Sequence, residues 1–180
     1  MKKMLTKRIR GNNGFTLAET LLAVIILLLA AGIVATGVPA ARNAYEKVVL
    51  ASNAEVLLST TMSTLRNELG MAKDIRIEAD EKTISFYSET RKAPSKIYLK
   101  DGSEPVILIR RYALGEEEKE EWLVSAVAST QGLYVTYENV QRNTDENGDT
   151  ITFNHLSVNR KAGGTDLAVR EAFSVRIVSE

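Results

Sequence analysis

The side chain best placed for a chemical role is Glu19, a carboxylate near the start of a long apolar segment. Residues 15–38 are nearly all apolar, and an unpaired charge that enters a hydrocarbon environment is costly. A plain membrane anchor or a signal segment gains nothing from such a charge. We therefore expect Glu19 to have a partner, most economically a group on a neighbouring subunit.

A glycine, Gly14, comes directly before this apolar segment and ends the run Gly-Asn-Asn-Gly at residues 11–14. Such a run favours a turned or extended backbone over a helix, so a protease could reach it. The first ten residues contain no acidic group, and the positive-inside rule places them in the cytoplasm. Their basic side chains are Lys2, Lys3, Lys7, Arg8 and Arg10.

Residues 14–19, Gly-Phe-Thr-Leu-Ala-Glu, resemble the cleavage and methylation motif of type IV prepilins and the related pseudopilins. In that family a short basic leader precedes the Gly, an aromatic residue follows it, and a Glu comes four residues later. The resemblance implies that a prepilin peptidase cleaves between Gly14 and Phe15 and methylates the new amino group of Phe15. It also implies that Glu19 pairs with the amino terminus of an adjacent subunit and sets the subunit registration. The alternative is that Glu19 only marks the membrane interface.

The same resemblance implies a role and a set of partners. The role is that of a minor pilin or pseudopilin in a type IV pilus or in a type II secretion or competence filament. A major pilin is the competing role, although major pilins often carry two Cys residues and this chain has none. The partners are the prepilin peptidase, other pilin or pseudopilin subunits through the N-terminal helix, the membrane, and an assembly platform membrane protein with its ATPase. The expected location is the cytoplasmic membrane, in a single pass with the head outside, and then a cell-surface or periplasmic filament.

Other classes of function have weaker support. A membrane-anchored or secreted extracellular binding domain with an ordinary signal segment would use the small residues at 35–41 as its cut site. An enzyme would need a cluster of reactive side chains, and the chain has a single His and no Cys. The 23 basic and 23 acidic residues balance, whereas nucleic-acid binders usually carry a basic excess. We therefore expect neither catalysis nor direct nucleic-acid binding.

One stretch near residue 147 has the donor spacing of a metal loop. Asp145, Asn147 and Asp149 place oxygen donors at alternate positions, as calcium loops do. A complete loop needs Gly at its sixth position and Glu at its twelfth, where this chain has Thr150 and Leu156. We interpret the Glu-Asn-Gly-Asp run as a hairpin tip and expect no cofactor, with calcium as the alternative.

We expect the remaining polar and aromatic side chains to have structural roles. His155 has no nucleophile or second ligand near it in sequence, so we expect a surface or core residue. Residues 116–121, which are five Glu and one Lys, predict a solvated loop that Arg110 and Arg111 could face across a hairpin. We expect the aromatic residues at strand spacing to pack, namely Phe86, Tyr98, Tyr112, Trp122, Tyr134, Tyr137 and Phe153.

These residues are positioned by a predicted α+β fold. It has a basic leader at 1–14, a transmembrane and filament-core helix at 15–38, an amphipathic helix at 39–70 and an antiparallel β head at 71–180. Pro39 predicts either a kink or a helix boundary, and Gly70 a C-terminal cap. The apolar stripe expected to pack on the sheet is Val48, Ala51, Ala54, Leu58, Met62, Leu65 and Leu69.

The head shows alternating apolar and polar residues, which predicts strands joined by turns in one meandering sheet. The predicted strands are 75–79, 83–87, 96–100, 106–112, 122–128, 133–140, 150–158 and 173–178, with a loop at Gly163 and Gly164.

Overall fold

The computed structural model describes residues 16–99, 107–111, 118–124, 132–145, 148–160 and 164–178. The predictions for the leader, Gly14, Phe15, Tyr112 and Asn147 lie outside these residues. Within these described residues there are one helix and nine strands: α1 Leu17–Gly70, β1 Lys73–Ile77, β2 Ile84–Ser88, β3 Ala93–Leu99, β4 Ile107–Arg111, β5 Lys119–Trp122, β6 Tyr134–Thr136, β7 Asn139–Asp145, β8 Gly148–Asn159 and β9 Asp166–Arg176. The predicted α+β class, with a long N-terminal helix and antiparallel sheets, is confirmed.

The chain divides into two compact units, Met1–Glu46 and Lys47–Glu180. Helix α1 contributes to both, because its 54 residues continue through Pro39 without an end. Of the two alternatives predicted at Pro39, a kink or a helix boundary, the boundary is therefore wrong. Proline removes one backbone hydrogen bond, and the alanines that follow it are strong helix formers, so the helix resumes at once.

Within the second unit, the packed face of α1 begins at Leu50, which is partly buried against the core, rather than at Val48, which is 67% exposed. From Ala54 onward the leucines of the stripe are buried against the strands. The helix ends at Gly70 as predicted, but Gly70 is not among the residues with positive φ. Its carbonyl instead accepts a hydrogen bond from the amide of Val178 at 2.9 Å, so the segment after β9 caps the helix.

Two antiparallel sheets form the head, where one was predicted. The first has five strands in chain order, from β1 to β5. Its last strand is Lys119–Trp122, so part of the predicted acidic loop is strand. Of the predicted 122–128 strand, residues 125–128 lie outside the described residues. The register places Arg110 opposite Glu120 and Arg111 opposite Lys119, which confirms that the arginine pair faces this run across a hairpin.

The second sheet is built around β8, the longest strand. Strands β6 and β7 both pair with β8, and β9 pairs with it as well. The predicted 133–140 strand is thus divided, because the Tyr137 side chain turns into the core between the two pieces. The 145–149 hairpin is confirmed: Asp145 pairs with Gly148, whose φ of 114° suits a residue without Cβ. Strand β9 starts seven residues before the predicted 173, directly after the predicted loop.

The two sheets are joined by contacts of β7 and the preceding Tyr137 with β1 and the turn after it. The amide of Val140 donates to the carbonyl of Glu81 at 2.8 Å, and the Tyr137 hydroxyl donates to the carbonyl of Lys82 at 2.6 Å. The guanidinium of Arg142 reaches the carbonyl of Ile75 at 2.7 Å. These bonds satisfy backbone groups that would otherwise be orphaned at the seam.

Aromatic packing in the core centres on Phe153 of β8, which is fully buried. Its ring meets Tyr137 edge-on, with centroids 5.3 Å apart, and Phe173 in a tilted arrangement at 6.1 Å. The packing prediction therefore holds for Phe153 and Tyr137. It is wrong for Trp122, which is 46% exposed at the end of β5.

We predict that Phe153→Ala lowers the free energy of unfolding of the head by about 3–5 kcal/mol, because it leaves a cavity in the core. Trp122→Ala is the matched aromatic control and should cost less than about 1 kcal/mol at its exposed position. Urea denaturation of the full chain in detergent, followed by the β signal in circular dichroism, measures both. Equal losses for the two variants would contradict this account of the core.

Candidate functional site

The N-terminal part of α1 is an apolar surface with no partner inside the described chain. Among the described residues, α1 is the one helix that is long and apolar enough to cross a membrane, and none of its most apolar segment is buried. A core helix of a soluble protein would bury such a segment. Residues 20–41 carry no charged side chain, and about 22 helical residues span about 33 Å, enough for a bilayer core.

At the start of this surface, Thr16 and Glu19 form a reciprocal cap on the first turn of α1. The backbone amide of Thr16 donates to Glu19 Oε2 at 2.9 Å, and its hydroxyl donates to the same oxygen at 3.1 Å. The amide of Glu19 in turn donates to Thr16 Oγ1 at 3.3 Å. This is the capping-box arrangement, in which two orphan amides at a helix N-terminus find side-chain acceptors.

The cap gives the Glu19 carboxylate a defined position. Its negative charge lies at the helix N-terminus, where the helix dipole favours it. Both hydrogen bonds fall on Oε2, and the side chain is exposed. The carboxylate is therefore held in place yet open to a cation from outside the chain. The predicted cleavage residues, Gly14 and Phe15, precede it but lie outside the described residues.

Thr16 was missed as a site residue from the sequence, although a signal was present. A Ser or Thr followed three residues later by Glu, just before an apolar run, is the sequence pattern of a capping box. Thr16 and Glu19 have this spacing.

The first charged side chain beyond the apolar segment is Arg42. Its Nε lies 2.9 Å from Glu46 Oε1, one helical turn on, and both side chains are largely exposed. Tyr45 between them is 71% exposed. A charge pair with an adjacent tyrosine is typical of a helix at a membrane–water interface. Glu19 and Arg42 thus bracket the uncharged segment.

The proposed calcium donors are partly engaged by protein groups. Asp149 forms an ion pair with Arg142 and accepts a hydrogen bond from Thr144 Oγ1 at 2.6 Å. These contacts, with Thr144 the larger influence, hold the pKa of Asp149 below its usual value. Within the residues that the structure describes, no group of three or more His, Asp or Glu side chains has the arrangement of a metal site.

His155 has two acidic partners that the sequence did not indicate. Its Nε2 lies 2.9 Å from Asp166 Oδ2 and its Nδ1 lies 3.2 Å from Glu171 Oε2. Both carboxylates come from β9, which the sequence does not place beside residue 155. Hydrogen bonds with Glu171 and then Asp166 raise the pKa of His155 above its ordinary value of 6.5.

A second unpredicted cluster fixes the C-terminal turn of α1. Glu68 is nearly buried there and accepts a hydrogen bond from the Ser88 hydroxyl at 3.2 Å. Arg91 lies 3.6 Å from Glu68 and donates to Glu121 of β5 at 2.7 Å. The cluster therefore ties the helix to two parts of the first sheet and has a structural role.

No protein-family model matches this chain, and comparisons with curated proteins and with solved structures give no match either. The function is therefore argued from the motif at residues 14–19 and from the geometry around Glu19.

We predict that Thr16→Val loosens the first turn of α1, because it removes the hydroxyl that caps the amide of Glu19. Loss of such a cap costs about 1 kcal/mol, so exchange of that amide should accelerate about fivefold. Thr20→Val is the control, since the Thr20 hydroxyl donates back to the carbonyl of Leu17 and caps nothing. Amide hydrogen exchange of the full chain in micelles measures both, and equal exchange in the two variants would refute the cap.

Proposed function

We propose that this chain is a structural subunit of a pilus-type filament, a minor pilin or pseudopilin of a type IV pilus or of a type II secretion or competence system. It is first a single-pass membrane protein. A prepilin peptidase removes residues 1–14 and methylates Phe15, and the mature subunit then enters the filament. In this role the chain is not an enzyme.

The observation that carries the proposal is the position of the motif at residues 14–19 relative to α1. The motif leads directly into the capped first turn, and the helix behind it exposes apolar side chains as far as Val48. A subunit that leaves the bilayer must bury this surface elsewhere, since exposed apolar area costs about 25 cal/mol per Å² in water. Packing against the same helix of neighbouring subunits supplies that burial.

Glu19 then acts as the charge that selects the register between neighbouring helices. In the assembled core its carboxylate meets the amino terminus of Phe15 on an adjacent subunit. Opposite charges attract strongly in a low-dielectric helical bundle, and either one left alone there is costly. The cap from Thr16 supports this role, because it holds the carboxylate at one end of the apolar surface before the partner arrives.

The second class of function, an anchored or secreted binding domain, has less support. Signal cleavage at residues 35–41 would fall in a continuous helical stretch of α1. It would also remove Glu19 and its cap from the mature protein, so that neither would have a role there. No described cluster in the head supplies a binding site that would favour this reading.

The first test is the mature N-terminal residue of the chain, expressed with and without a prepilin peptidase. We predict an N-methylated Phe15 that appears only with the active peptidase, measured by mass spectrometry. Gly14→Val should block cleavage because it puts a branched side chain at the cut site. Gly11→Val, in the same leader, is the matched control and should be cleaved normally.

A mature start within residues 35–41 would instead support an ordinary signal segment. An uncut chain in the presence of active peptidase would support a plain anchor. Either result would overturn the filament proposal.

The second test separates the charge of Glu19 from its capping role. We predict that Glu19→Gln is cleaved normally but enters sheared filaments about tenfold less than the unmodified chain, because its partner's charge is left unpaired. Glutamine still serves in a capping box, so the first turn is kept. Glu46→Gln is the matched control, and quantitative immunoblotting of the filament fraction is the measurement. Normal incorporation of Glu19→Gln would refute the registration role.

A further inference from the structure

The cluster of His155, Asp166 and Glu171 joins the N-terminal part of β9 to the centre of β8. The two carboxylates lie on opposite sides of one imidazole ring, at 2.9 Å and 3.2 Å from its two nitrogens. The His155 and Asp166 side chains are each 31% exposed, so solvent protons reach them. Nothing in the proposed filament function uses these residues.

The chemistry of the ring makes this arrangement depend on protonation. A carboxylate only accepts hydrogen bonds, and a neutral imidazole has a single N–H to donate. Only the imidazolium form donates from both nitrogens. The observed geometry therefore satisfies both carboxylates when His155 is protonated, and one contact is lost when it is neutral.

The backbone at the same residue has an uncommon conformation. His155 has a φ of 48°, in the left-handed region that few residues adopt. The strand register passes from the Asn154–Ala172 pair to the Leu156–Arg170 pair around it. The register is the same on both sides of His155, and its shift comes later, between Val158 and Asn159.

Strand β9 depends on β8 for its place in the sheet, because the described residues give it no other strand partner. Besides this pairing, the C-terminal part of β9 is held by Phe173 and Val175, which are buried in the core. The stretch at 166–171 has a single buried residue, Ala168. Residues 166–171 are therefore the part of β9 whose attachment to β8 can depend on side-chain contacts.

We propose that His155 is a pH-sensitive latch that holds residues 166–171 of β9 against β8 when protonated and releases them when neutral. Below the unfolded pKa of histidine the latch is fully engaged. It is lost as the pH rises through the higher pKa of the folded chain.

The other charged groups that face this cluster are carboxylates and one arginine. On the β9 side the carboxylates are those of Asp166 and Glu171, with Arg170 next to the latter. On the β7 side the charged neighbour is Glu138, whose amide donates to the carbonyl of Asn154 at 3.0 Å. Histidine is the side-chain type whose ordinary pKa lies in the range from about pH 5.5 to about pH 8.5. The single His of the chain is thus the group that changes.

The test is amide hydrogen exchange of the full chain in micelles across this pH range, with rates corrected for intrinsic exchange. We expect protection of residues 166–171 to fall roughly two- to fivefold as His155 deprotonates, the size typical of an exposed ion pair. Strand β2 serves as the internal reference and should not change. Carbon-13 NMR of the one imidazole reports its protonation in the same sample.

Two variants bracket the latch. His155→Asn tolerates positive φ and should show low protection at every pH. His155→Arg keeps a permanent charge and should show high protection at every pH. Asp166→Asn and Glu171→Gln leave the histidine backbone intact, and each should lower the midpoint of the imidazole titration. A constant protection of 166–171 in the unmodified chain, or the same pH slope in His155→Asn, would overturn the proposal.

Discussion

The apolar surface of α1 that finds no partner within the chain is the constraint on which the other features depend. Its side chains are exposed from Leu17 to Val48, whereas those facing the sheets are buried from Ala54 onward. One continuous helix therefore needs two different surroundings along its length. The uncharged residues 20–41 suit a bilayer or a bundle of like helices, and the polar face beyond them suits water. The filament proposal follows from the need to cover the apolar surface at residues 20–41 both before and after the subunit leaves the membrane.

In the head, the corresponding constraint is that two sheets share one hydrophobic core. Phe153 lies at its centre, with aromatic neighbours from β9 and from the turn between β6 and β7. The sheets are held at their seam by hydrogen bonds to backbone carbonyls, from Tyr137 and Arg142. Because β9 contributes to the core and is followed by the cap on Gly70, the packing of the sheet and the end of the helix are coupled.

Local patterns in the sequence predict the helix and strands of this fold better than they predict which strands pair with each other. The apolar run, the helix end at Gly70 and the hairpin before β8 follow from composition and turn chemistry. Alternation marks a strand but not its sheet, so the division into two sheets was not predictable. The 119–121 stretch reads as a loop because it is charged, yet it is stabilised in β5 by Arg91 and Tyr98. His155 meets carboxylates that are distant in sequence, and only the pairing of β8 with β9 brings them together.

At the N-terminal site, one carboxylate serves both local structure and the proposed assembly, and its geometry explains how the two are compatible. The bonds from Thr16 fall on Oε2 of Glu19, and no described residue donates to Oε1. A carboxylate accepts about four hydrogen bonds, so a cation can approach the second oxygen without breaking the cap. The cap also restricts the rotamers of Glu19 before any partner arrives, which lowers the entropy lost on pairing. Substitution by Asp would shorten the reach to Thr16 and weaken both functions together, whereas Gln would preserve the first and remove the second.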